Sequence, residues 1–75
     1  MVVTLSRNLV SVTLESSAEH ITAYAHRMGG EYVDSQVEGD RAILTFAFDD
    51  YFNAVNFQTS LGSVRGFIAA AIAKS

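Results

Sequence analysis

The stretch DYFNAVNFQTSLGSVRGFIAAAIAK, residues 50–74, decides how the rest of the chain is read. Apolar side chains recur in it at Ala54, Phe57, Leu61, Val64, Ile68 and Ile72, in steps of three or four. A second stripe, Gly62, Gly66, Ala69, Ala70 and Ala73, holds only small residues. At about 100° per residue the two stripes lie on nearly opposite sides of a helix. The spacing therefore predicts a C-terminal helix, with Asp49 or Asp50 as its N-cap. Its large stripe seeks a core, and its small stripe lets another backbone approach closely. Glycine costs about 1 kcal/mol against alanine in a helix interior. Residues 60–63, around Gly62, thus read as a kink or as a break into two helices.

Working outward, residues 41–48 form the strongest strand. Ala42, Leu44, Phe46 and Phe48 face one side, and Arg41, Ile43, Thr45 and Ala47 the other. Before it, Glu38-Gly39-Asp40 reads as a tight turn and residues 31–37 as a weaker strand. That strand is read with Val33 and Val37 on one face and Tyr32, Asp34 and Gln36 on the other. Residues 9–15 alternate cleanly, Val10, Val12 and Leu14 against Leu9, Ser11, Thr13 and Glu15. Ser16-Ser17-Ala18-Glu19 has the form of a capping box. The helix it opens carries Ile21, Tyr24, Ala25 and Met28 on one face and stops at Gly29-Gly30. Residues 2–5 read either as a frayed end or as a short strand paired with 9–15.

The expected fold is α+β, a ferredoxin-like β(β)αββα order over residues 1–75 as one domain. It has an antiparallel-rich sheet of three or four strands and both helices on one face. A right-handed crossover is expected to set strand 9–15 parallel to strand 41–48, with 31–37 outside it. The opposite sheet face, with Leu9, Ser11, Thr13, Tyr32, Ile43 and Thr45, has nothing left in the chain to cover it.

Composition narrows the function. The 75 residues contain no cysteine and no proline, are 49% hydrophobic and only 17% charged, and carry a net charge of −3. A chain this small and apolar has more greasy surface than it can hide alone, which favours self-association. Arg7, Arg27, Arg41, Arg65 and Lys74 are scattered, so the basic stripe that phosphate binding needs is missing. The apolar runs are too short for a signal peptide or a membrane span. A cytoplasmic protein is expected.

No catalytic, cofactor or metal motif emerges. His20 and His26 are six apart on one helix, the wrong spacing to share a metal ion. Ser16 and Ser17 are helix caps, one of Asp49 and Asp50 is an N-cap, and Gly29-Gly30 ends a helix where a phosphate loop would begin one. Residues 39–46 resemble in hydrophobic outline the third strand of RNA-recognition motifs. The stacking aromatics of that strand are replaced here by Arg41 and Ile43. Residues 46–51, with Ala54 and Phe57, resemble the strand-to-helix junction of the pterin carbinolamine dehydratase family. The paired-histidine-proline segment that carries that family's activity has no counterpart here, and neither resemblance assigns the chain.

The sequence therefore points to a non-enzymatic protein-interaction module without a cofactor. It would be a homodimer, or a small adaptor or inhibitor of a larger protein. The expected contact residues are Gly62, Gly66, Ala69, Ala70 and Ala73 on the small stripe, and Leu9, Tyr32 and Ile43 on the open sheet face. In soluble proteins a small stripe of this kind more often packs within the chain, against its own second helix. The alternative is a nucleic-acid-binding module using the open face.

Overall fold

The alternation of Val10, Val12 and Leu14 against Leu9, Ser11 and Thr13 divides the sheet into a side that the helices cover and a side that, among the described residues, no helix covers. The computed structural model describes residues 7–15 and 19–74. The expected strand at residues 2–5 and the capping serines Ser16 and Ser17 lie outside them. The elements are β1 (Asn8–Glu15), α1 (Glu19–Arg27), β2 (Gly30–Glu38), β3 (Arg41–Phe48), α2 (Tyr51–Ser60), a 3₁₀ turn (Leu61–Ser63) and β4 (Phe67–Lys74). The four strands form one sheet in the order β2-β3-β1-β4, and every pairing is antiparallel.

Two expectations are corrected. The long C-terminal helix does not exist: α2 stops at Ser60, and residues 67–74 are a strand on the free side of β1. The order is βαββαβ, not β(β)αββα, and β4 takes the edge considered for residues 2–5. Second, β1 runs antiparallel to β3. The parallel pair joined through α1 is β1 and β2, and β3 lies between them.

The end of α2 has a local cause. Asp50 caps its start, its side chain accepting the Phe52 N–H at 2.8 Å. At its other end the chain tightens into the 3₁₀ turn, and Val64 is already extended. Gly66 then takes a left-handed φ of 84°, which suits only a residue without Cβ. That turn aims the Gly66 carbonyl at the Glu15 N–H, 2.8 Å away, where the β4–β1 pairing begins. Alanine prefers helix by propensity alone, but here pairing with the vacant side of β1 overrides it. The step from Ile68 to Ile72 is four, which satisfies both the helical period and the strand period of two.

Both helices bury against the same side of the sheet. Ile21 and Ala25 of α1 and Ala54 and Phe57 of α2 are sealed against Val10, Val12, Leu14, Phe46 and Phe48. Phe57 sits among three rings, with centroids 5.6 Å from Phe46, 5.2 Å from Phe48 and 5.8 Å from Tyr24. Gly30 is placed under the Phe48 ring: a Cβ there would meet ring carbons at 2.5 to 2.9 Å.

Both edge strands carry a bulge. In β2 the register skips Val33, so Tyr32 opposes Phe46 and Asp34 opposes Thr45. In β4 it skips Ile68, so Phe67 opposes Leu14 and Ala69 opposes Thr13. A bulge reverses which face the following residues occupy. Tyr32 therefore lies on the helix-covered face, its ring 6.2 Å from Phe46, and not on the open face as expected. Phe67 joins Ala70 and Ile72 on the covered side for the same reason.

Candidate interaction face

Antiparallel partners share a face of the sheet, so the registers write out the uncovered side as a grid. One row across it reads Glu31, Ala47, Leu9, Ala73. The next reads Asp34, Thr45, Ser11, Ala71. The third is Gln36, Ile43, Thr13, Ala69, and the last is Glu38, Arg41, Glu15. Its columns differ in character: β2 contributes acidic and amide groups, β3 and β1 a mixture, and β4 bare methyl groups. Ala69, Ala71 and Ala73 are exposed, while Leu9, Ile43 and Thr45 are half-buried. No described residue of this face is aromatic.

The structure separates the expected contact residues into three groups. Leu9, Ile43, Ala69 and Ala73 come together on this face. Tyr32 and Ala70 lie on the covered side, Ala70 packed against the core. Gly62 and Gly66 fall in the 3₁₀ turn and the turn into β4, away from any common stripe. Asp34 and Gln36, read on the same face as Tyr32, do lie on the open side, and the bulge at Val33 takes only Tyr32 away from them. Sequence reading missed Ala71, because it took residues 67–73 as helix.

Arg7 closes one end of the grid. Its guanidinium bonds Asp49 at 2.9 Å and Glu31 at 3.1 Å. The hydrogen bond to Glu31 first, then that to Asp49, holds the Arg7 pKa above its ordinary value. Ala47, the register partner of Glu31, is 1% exposed even though it faces away from the helices. At the other end Arg41 and Glu15 are register partners without an ion pair between them.

A cleft of about 330 Å³ lies on the helix side, lined by Ile21, Tyr24, Arg27, Ser60, Ser63 and Val64. Its hydroxyls are turned inward. Tyr24 donates to Ser60 at 2.6 Å, Ser60 donates to the Phe57 carbonyl at 2.9 Å, and Ser63 donates to the Ser60 carbonyl at 3.1 Å. The Arg27 guanidinium stands 6.0 Å from the Tyr24 ring centre. A binding pocket needs several polar groups converging on a ligand, and these converge on one another. Among the described residues no group of three His, Cys, Asp or Glu side chains is placed to hold a metal ion. Among the same residues no helix is long and apolar enough to cross a membrane. The chain matches no protein-family model, no curated protein and no solved structure at the level of significance applied.

Proposed function

We propose that the chain is a non-enzymatic, ferredoxin-like module that binds protein through the uncovered face of its sheet. The order β2-β3-β1-β4 with antiparallel pairing throughout supports the ferredoxin-like reading, since this is the split βαβ arrangement. The observation that carries the functional reading is the grid itself. Three of its four columns consist largely of Ala, Ser, Thr, Leu and Ile, the surface that a second protein layer can approach closely. The same grid disfavours nucleic acid. It has no aromatic side chain for base stacking among the described residues, and its outer column bears Glu31, Asp34 and Glu38.

Photo-crosslinking tests the reading. A photoreactive side chain at Ser11, on the open face, should give protein adducts in cells, and one at Thr59, exposed on α2, should not. Adducts from Thr59 alone would overturn the proposal. Binding to nucleic acid that falls steeply with salt would replace it with the alternative.

A further inference from the structure

The partner that this face fits is a second copy of the chain. We infer that two molecules stack their open sheet faces about a two-fold axis parallel to the strands; the inference rests on the protein-binding reading above. Such an axis lays each row of the grid over the same row reversed. Ala73 and Leu9 come over Glu31 and Ala47 of the copy in one row, where Ala47 is already covered within its own chain. In the last row Arg41 meets the copy's Glu15, and Glu15 meets the copy's Arg41. Within one chain Arg41 and Glu15 make no ion pair with each other. The acidic β2 column falls on the copy's β4, whose face is alanine only.

The other in-plane two-fold axis, across the strands, is disfavoured by charge. It would set β2 on β2, with Glu31 over Glu38 of the copy. Like charges facing each other select against that arrangement. Aligned sheets cross at about 30°, which displaces the ends of the rows. Arg41 and Glu15 are long enough to span that displacement, and the small residues at the centre let the layers close.

The area is sufficient but not generous. Four strands about 4.8 Å apart and about 3.4 Å per residue present roughly 500 Å² per copy. Two copies then bury about 1,000 Å², the lower bound for a specific interface. A dimer in the micromolar range or weaker is expected, with no strand exchanged.

The test is sedimentation equilibrium of the full chain from micromolar to millimolar concentration. A monomer–dimer equilibrium is expected. Arg41→Glu and Glu15→Arg should each weaken it about tenfold or more, and the double exchange should restore it, since only the sign of each pair is reversed. Ala71→Glu, which sets a second acid under the copy's Asp34, should weaken it more than Ala71→Lys. Position 71 is exposed, so this pair stays informative even if the charge exchange disturbs folding. A chain that stays monomeric throughout overturns the inference. So does a double exchange no better than its singles, or equal effects of Glu and Lys at position 71. A strict monomer that still crosslinks another protein from Ser11 removes self-pairing and leaves the protein-binding reading standing. A strict monomer without adducts removes both.

Discussion

Phe57 is the side chain on which the interior converges. It is fully buried and touches rings from α1 and β3. Replacing such a residue with alanine costs about 3–5 kcal/mol, through lost transfer free energy and the cavity left behind. At about 0.05–0.15 kcal/mol per residue the whole chain is stable by roughly 4–11 kcal/mol. Phe57→Ala should therefore leave a protein at the margin of folding, read as a large fall in the urea midpoint. The glycines separate by environment in a way the sequence does not display. Gly30→Ala drives a methyl into the Phe48 ring and should destabilise by about 1–3 kcal/mol. Gly62→Ala meets nothing within 4 Å and should be neutral or stabilising by up to about 1 kcal/mol. The sequence marks both as helix-related glycines, one as a stop and one as a weak point. The space around each is set by side chains distant in the chain, such as Phe48, and so is not legible locally.

The elements written by local chemistry were readable, and those written by pairing were not. β1, α1, β3 and the start of α2 follow from alternation, from the glycine stop and from the Asp50 cap. The second half of residues 50–74 follows from the vacant side of β1, which no window of sequence contains. In β2 the alternation places Asp34, Gln36 and Val37 as found, and only Tyr32 differs, because the bulged Val33 sets it on the same side as Val37. Protection should mirror these positions. Amide hydrogen exchange is expected to be slowest in β1 and β3, which are paired on both sides, and fastest in β2 beyond Gly30, where every residue is exposed. If β2 exchanges as slowly as β3, a partner covers its edge.

For the molecule as a whole, two short helices cover one side of a four-stranded sheet, and the described residues leave the other side largely open. The candidate face was half legible. Leu9 and Ile43 were placed on it by alternation, and Ala69 and Ala73 were singled out, but as part of a helix. Their smallness carried the signal and the wrong period hid where it pointed. If the face is closed by a second copy, folding and association are coupled, and the melting temperature should rise with protein concentration. A melting temperature constant over a hundredfold range would uncouple them.

The bulges at Val33 and Ile68 bear on how far such association can go. Each free edge of the sheet is interrupted, and β2 adds acidic side chains at Glu31, Asp34 and Glu38. Regular, uncharged edges would let sheet add to sheet without end, the route to fibrils. Here the edges resist lateral growth. A face-to-face pair of the kind inferred above would use the open face of each copy once, so that mode of assembly would stop at two.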